Sequence, residues 1–134
     1  MAETKVELAW LGELRFEGGE PGRPTLRIDS NGREAPGPMH TLLLAAAACS
    51  GSDVVEILAK MRVPLAEFRV EASGVRRDEV PRRFLSIHFV FHLRGEGLDE
   101  TKARRAIDLS LSKYCSVVHS LAPDIIVSYD LRLA

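Results

Sequence analysis

The chain contains two cysteines whose surroundings differ in polarity. Cys49 follows the apolar run 42–48 and precedes Ser50, whereas Cys115 follows Tyr114 in a more polar segment. A cysteine thiolate is a nucleophile and a metal ligand, but a thiol buried in apolar surroundings is inert. The two cysteines are therefore either plain core residues or the reactive groups of a sheltered site.

Two thiols in one chain allow a redox cycle. One thiolate attacks a peroxide and becomes a sulfenic acid, and the second thiol condenses with it to form a disulfide. Cys49 and Cys115 lie far apart in the sequence, so any pairing between them is tertiary. The spacing alone leaves this pairing open.

A metal site is the alternative chemistry. His119 follows Cys115 by four residues, a spacing that places two ligands on one face of a helix, and Cys49 is a candidate third ligand. His40 lies just before the first predicted helix. No C-x-x-C spacing accompanies these residues and no nucleotide-binding motif is present, so we expect neither a metal nor an organic cofactor.

Length and charge limit the class of protein. The 134 residues correspond to one domain, 1–134, and the net charge of −1 argues against a nucleic-acid partner. Residues 1–7 lack the apolar segment of a signal peptide, and the apolar run 42–49 is far shorter than the roughly 20 residues of a membrane span. We therefore expect a cytoplasmic protein without a membrane partner, where standing disulfides are rare.

The hydrophobic pattern predicts an α+β fold. Alternating segments indicate strands, a long apolar segment before Pro64 indicates the first helix, and Asp99 is the predicted N-cap of a second helix. We predict strands at 6–10, 14–16, 25–29, 68–72, 84–93 and 125–133, helices at 39–61 and 99–111, a turn at 18–22 and a short helical turn at 115–121. Runs of strands separated by two helices favour α+β over a wound parallel sheet.

The first predicted helix also indicates the oligomeric state. From Leu42 to Asp53 it carries apolar or small residues on every face, so it has no solvent-facing stripe. A small sheet covers only one side of such a helix, and a second copy of the chain is the simplest cover for the other side. We therefore predict a homodimer that shares its core.

Two segments carry a resemblance to a known family. The sequence 37–49, with Gly37-Pro38-Met39 and the run ending in Cys49, continues into 53–62 and resembles the first cysteine helix of the OsmC/Ohr family (osmotically inducible protein C-like and organic hydroperoxide resistance proteins). The segment 113–117 resembles that family's second cysteine motif. The strand pattern fits as well, so the resemblance covers nearly the whole chain and is strongest to the YhfA-like branch.

This resemblance implies both a fold and an activity. The implied fold is an intertwined α+β homodimer of antiparallel sheets and two main helices, with the cysteine helix at its centre and two sites at the subunit interface. The better-studied members are thiol peroxidases that reduce organic hydroperoxides in oxidative stress and are re-reduced by lipoylated proteins or small dithiols. Carried over, Cys49 is the peroxidatic thiol and Cys115 the resolving thiol.

The chain departs from the family pattern near the implied peroxidatic cysteine. Peroxidatic members hold the thiolate with an arginine from the early strands, and a glutamate ten residues before the cysteine steadies that arginine. Met39 occupies that position here, and His40 follows it. Arg15 is the best match for the arginine by location, and Arg33 is a second option. Two functions remain open, a thiol peroxidase and a small-molecule or lipid-binding dimer with slowly reacting cysteines.

Overall fold

The computed structural model describes all residues, 1–134, as two compact units. The first unit is Met1–Leu42 and the second is Leu43–Ala134, with the boundary inside the first helix. In chain order the elements are β1 (Glu7–Gly12), β2 (Arg15–Gly19), β3 (Leu26–Asp29), α1 (Pro38–Lys60), β4 (Leu65–Arg76), β5 (Phe84–Gly95), α2 (Glu100–Leu109), a π-helical turn (Ser110–Tyr114), α3 (Ser116–His119) and β6 (Ile126–Leu133). The predicted α+β class is confirmed, and the assignment of 1–134 to a single domain stays a prediction.

The first unit contains an antiparallel sheet in the order β1-β2-β3. Its register aligns six residues on one face of the sheet: Leu8, Gly18, Leu26, Trp10, Phe16 and Ile28. Successive residues of a strand point to opposite faces, so this face is apolar throughout. Trp10 nevertheless remains 68% exposed and Leu8 61% exposed. The prediction that Gly18 and Gly19 form a turn is wrong, because both pair within β2 and the chain turns after them.

The second unit contains a sheet in the order β4-β5-β6 with β5 in the centre. β4 pairs with β5 antiparallel along most of its length, whereas β6 pairs with β5 in parallel. The expected purely antiparallel sheet is therefore corrected to a mixed one. The physical reason is the connection, since a chain that leaves β5 and returns parallel to it needs a crossover, which α2, the π-helical turn and α3 provide here.

One face of β5 forms the core of the second unit. Ile87, Phe89, Phe91 and Leu93 alternate along the strand and are at most 2% exposed. The buried positions of α1 include Ala46, Ser50, Val54 and Leu58, which are spaced by four residues and so lie along one face of the helix. α2 contributes Ala103, Ala106 and Ile107, all fully buried. The thiol-bearing segments are thus attached to a close-packed apolar core.

The ends of the helices follow from local sequence. Arg62 adopts a left-handed φ of 62° after α1, Val63 N–H bonds back to the Leu58 carbonyl at 2.9 Å, and Pro64 prevents continuation. Asp99 caps α2 as predicted, accepting the Lys102 N–H at 2.8 Å. The predicted helix 39–61 is confirmed within one residue at each end.

The side of α1 that does not face its own sheet is unusually apolar. Leu44 and Val55 are 57% and 45% exposed. By length and composition α1 is the one helix that could cross a membrane, with a mean hydropathy of 1.7 over an 18-residue window. Core helices of globular proteins meet the same two criteria, and only 28% of that window is buried within one copy of this chain. The helix therefore has apolar surface that this single chain leaves uncovered.

Candidate functional site

The two cysteine side chains are neighbours and are not joined by a disulfide. Cys49 lies in the middle of α1 and is partly exposed, whereas Cys115 is fully buried at the end of the π-helical turn. Burial raises the pKa of the Cys115 thiol to about 11, and the proximity of Cys49 and Asp53 acts in the same direction against an opposing backbone N–H of Val118. At neutral pH Cys115 is therefore a protonated thiol.

A wide helical turn brings Cys115 to this position. After α2 the backbone expands into the π-helical turn, and the Cys115 N–H donates to the Ser110 carbonyl, five residues earlier, at 2.8 Å. Cys115 itself leaves helical geometry and becomes the N-cap of α3. Its sulfur lies 4.0 Å from the carbonyl oxygen of Ala46 on α1. The turn therefore places the second thiol directly against the helix that carries the first.

A cluster of three polar side chains links α1 to the π-helical turn. The Ser110 hydroxyl donates to Asp53 Oδ2 at 2.8 Å and lies 2.9 Å from the Ser50 hydroxyl. Both serines are fully buried. Ser50 adjoins Cys49 in the sequence, and Asp53 lies one helical turn beyond it. No sequence motif joins these three residues, because the cluster arises from a tertiary contact between distant segments.

Arg15 lies in the first unit, on β2. Its Nη1 donates to Glu34 Oε2 at 2.8 Å, and this carboxylate raises the pKa of Arg15. Arg15 Nε is buried and has no hydrogen-bond partner. Glu34 is therefore the carboxylate partner of Arg15, which the sequence analysis missed because Glu34 lies outside the expected position, Met39.

Asp29 fixes the loop that carries Glu34. The register of β2 and β3 pairs Arg15 with Asp29, and the Asp29 carboxylate accepts backbone N–H groups of Glu34 (3.1 Å), Asn31 (2.9 Å) and Arg33 (3.3 Å). These hydrogen bonds, led by that of Glu34, hold the pKa of Asp29 below its ordinary value. The aspartate thus shapes the loop from which Glu34 reaches Arg15.

The remaining candidate site residues, Arg33, His40 and His119, have less support from the structure. Arg33 is exposed and its side chain forms no ion pair, so Arg15 is the better placed of the two arginines for a fixed role. Arg15 and the thiols belong to different units, and contact between Arg15 and Cys49 stays a prediction. His40 is exposed, and His119 Nε2 bonds the Leu111 carbonyl at 3.1 Å. No three His, Cys, Asp or Glu side chains are grouped as a metal site requires.

Comparison with known proteins identifies the family. Residues 30–130 match the model of the OsmC-like protein family, and the chain belongs to this family. It is 38% identical over 133 residues to protein YhfA of Escherichia coli K12, covering 97% of this chain and 99% of that protein. The resemblance inferred from the two cysteine segments is therefore confirmed.

Solved structures agree with this assignment. A protein from Aquifex aeolicus superposes with a TM-score of 0.85 at 26% identity, covering 100% of this chain and 99% of that one. The organic hydroperoxide resistance protein OhrB of Bacillus subtilis superposes with a TM-score of 0.61 at 18% identity, covering 96% of each chain. The second likeness is one of fold.

We expect the two thiols to differ in alkylation rate. Iodoacetamide at pH 7.5 should modify Cys49 of the reduced protein well before Cys115, because Cys115 is fully buried and remains protonated below a pKa of about 11. The rate at Cys115 should rise as the pH approaches that value. Peptide mass spectrometry of quenched samples measures both rates.

A Cys49→Ser variant is the control, since burial is the main cause of the raised pKa and persists there. Alkylation of Cys115 at pH 7.5 as fast as that of Cys49 in the folded protein would contradict this assignment.

Proposed function

We propose that this protein is a thiol peroxidase that reduces organic hydroperoxides through Cys49 and Cys115. The observation that carries the proposal is the pair of neighbouring free cysteines, one partly exposed and one buried. A peroxidase of this type needs an accessible thiol for the substrate and a second thiol that is protected from it. The name of OhrB, which shares the fold, adds support.

The reaction proceeds in two steps on the protein. The Cys49 thiolate attacks the terminal oxygen of the hydroperoxide, the O–O bond breaks, and the departing alkoxide takes a proton to become an alcohol. Cys49 is then a sulfenic acid. The Cys115 thiol attacks the Cys49 sulfur, the S–O bond breaks, and the sulfenic hydroxyl leaves as water with the thiol proton.

An external dithiol, either a small molecule or a lipoylated protein, returns the disulfide to two thiols and is itself oxidised. No cofactor takes part in this scheme. The protein thereby removes organic hydroperoxides as part of a response to oxidative stress.

Arg15 is the proposed activating cation. A free cysteine with a pKa of about 8.5 is only a few per cent ionised at neutral pH, so fast attack requires a positive charge near the sulfur. The bond to Glu34 fixes the guanidinium through one edge and leaves the buried Nε without a partner, which suits an arginine that receives a further acceptor. Glu34 would then take the role of the glutamate that the family pattern has at the position of Met39.

A second copy of the chain is the proposed partner. α1 and β4 border an apolar cleft of about 550 Å³, and the exposed Leu44 and Val55 of α1 lie along it. The apolar face of the first unit's sheet is exposed as well, with Trp10 the largest side chain. Exposed apolar area of this extent is typical of a protein interface. A homodimer would cover both surfaces and place α1 at its centre.

Hydroperoxide should convert the two thiols into a disulfide. One equivalent of cumene hydroperoxide should lower the intact mass of the wild type by two hydrogens, because the two thiols are neighbours. Cys115→Ser should instead gain oxygen at Cys49, and Cys49→Ser should do neither. Intact-mass spectrometry under anaerobic quench gives all three results.

Two free thiols in the wild type after this treatment would favour the alternative function, a dimer that binds a small molecule or lipid.

Arg15→Ala should slow hydroperoxide consumption about tenfold or more, because loss of a fixed charge at a developing anion commonly has this effect. Glu34→Gln should slow it less, since the guanidinium remains but loses its ion pair. Stopped-flow measurement of hydroperoxide loss gives the rates, and circular dichroism checks the fold. Arg33→Ala is the matched control, and a larger effect there would transfer the role to Arg33.

Sedimentation at micromolar concentration should give a dimer. Val55→Lys should weaken dimerisation about 100-fold or more, because the lysine would have to lose its hydration in a largely apolar interface. Val80→Lys is the control, since Val80 lies in the β4–β5 connection and is 87% exposed. A stable, folded wild-type monomer would overturn the proposed assembly.

A further inference from the structure

We infer that Ser110, held by Asp53 and Ser50, is the positioning residue that delivers Cys115 to Cys49 for disulfide closure. The inference rests on the proposed redox role of the two thiols and assigns a role to three residues besides the cysteines. None of the three residues touches a thiol as a hydrogen-bond partner. They act on Cys115 through the backbone of the π-helical turn.

Ser110 holds two different segments with two different groups. Its hydroxyl bonds to α1, at Asp53 Oδ2 (2.8 Å) and at the Ser50 hydroxyl (2.9 Å). Its carbonyl accepts the Cys115 N–H at 2.8 Å. A single residue therefore connects the helix that carries the first thiol to the backbone nitrogen of the second.

The connection lies close to both cysteines along the chain. Ser50 is the next residue after Cys49, and Asp53 lies four residues after Cys49 on the same helix. Ser50 and Asp53 thus lie within about one turn of Cys49 on α1, and Ser110 bonds to both of them. A shift of Ser110 relative to α1 would move Cys115 relative to Cys49.

The π-helical turn needs such an anchor. A π-helical turn is rare and less stable than an α-helix, and such turns occur frequently at functional sites. Here the alternative, an α-helical continuation of α2, would shift the residues after Ser110 around the helix axis and withdraw Cys115 from α1. The buried hydrogen bonds of Ser110 favour the wide turn, because breaking them would leave two serine hydroxyls buried without partners.

The burial of Cys115 makes this positioning consequential. Attack on the Cys49 sulfenic sulfur requires the Cys115 sulfur to lie close to it and in line with the S–O bond that breaks. The buried thiol is protected from solvent and from the hydroperoxide, so closure depends on its resting position. The role predicted for the cluster is therefore in the second step of the reaction and not in the first.

The test separates the two steps in time. Ser110→Ala should consume one equivalent of cumene hydroperoxide at the wild-type rate but form the disulfide about tenfold more slowly, as expected when a hydrogen bond to a carboxylate is lost. The Cys49 sulfenic acid should accumulate and be trapped by dimedone. Stopped-flow peroxide loss and quenched intact-mass spectrometry follow the two steps.

Asp53 offers a second pair of variants, because it is only partly buried. Asp53→Asn keeps an oxygen acceptor for Ser110 and should retain rapid closure, whereas Asp53→Ala should match Ser110→Ala. Ser112→Ala is the control, since it removes an exposed hydroxyl of the same π-helical turn that bonds only to Asp108 O. Denaturant unfolding of each variant measures stability separately from closure.

Diamide distinguishes failure of this inference from failure of the proposed function. It oxidises a thiol pair to a disulfide, with transfer of two hydrogens to the reagent, and requires no peroxidase activity. If the wild type does not react with hydroperoxide, the proposed function fails. Slower disulfide formation with diamide in Ser110→Ala and Asp53→Ala than in the wild type would still support the positioning role. The positioning role would be overturned if Ser110→Ala and Asp53→Ala both formed the disulfide at the wild-type rate, or if they slowed peroxide loss as much as disulfide formation. It would also be overturned if Ser112→Ala or Asp53→Asn slowed disulfide formation to the same extent.

Discussion

Helix α1 buries a face at Ala46, Ser50, Val54 and Leu58 against the core of its own unit, and the other features of that unit depend on this contact. Because one face of the helix is held in place, the directions of all its remaining side chains are determined as well. Close approach is helped by Gly51, where a Cβ atom would lie 3.3 Å from the Phe68 ring. Cys49 then lies near Cys115, just after the π-helical turn, and Asp53 lies against Ser110 at the start of that turn.

The two thiols differ in burial, and this difference gives them different reactivities. Cys115 shares the apolar environment of the core, and the loss of solvent raises its pKa to about 11. In the proposed mechanism it does not compete for hydroperoxide, because it carries no charge at neutral pH and is not accessible. Cys49 lies at the border of the same core and keeps part of its surface exposed. The difference between the proposed roles therefore needs no special residue at the second cysteine.

The sequence predicted the elements better than their connections. Six strands and the two main helices were found because periodicity and capping are local, as with Asp99 before α2. The parallel pairing of β6 was missed, since direction is decided by the crossover and not by the residues of the strand. The π-helical turn was missed for a related reason. Its hydrogen bond from Cys115 to Ser110 is favoured by contacts with a distant helix.

Prediction of the site was limited in the same way. Two cysteine segments were enough to identify the family and to suggest the thiol pair. Glu34 was missed because the family pattern directs attention to Met39 on α1, whereas the carboxylate comes from a loop shaped by Asp29. No local pattern links an arginine on β2 to a glutamate 19 residues later.

The origin of that carboxylate has a consequence for how relatives of this protein are compared. The first turn of α1 contains no acidic residue, and the ion pair of Arg15 lies wholly within the first unit. The arginine's partner and the scaffold of the first thiol are therefore independent pieces of backbone, and each can change in evolution without the other. The residue at the position of Met39 alone therefore does not show whether a relative has a carboxylate partner for the arginine, and the loop after β3 has to be compared as well.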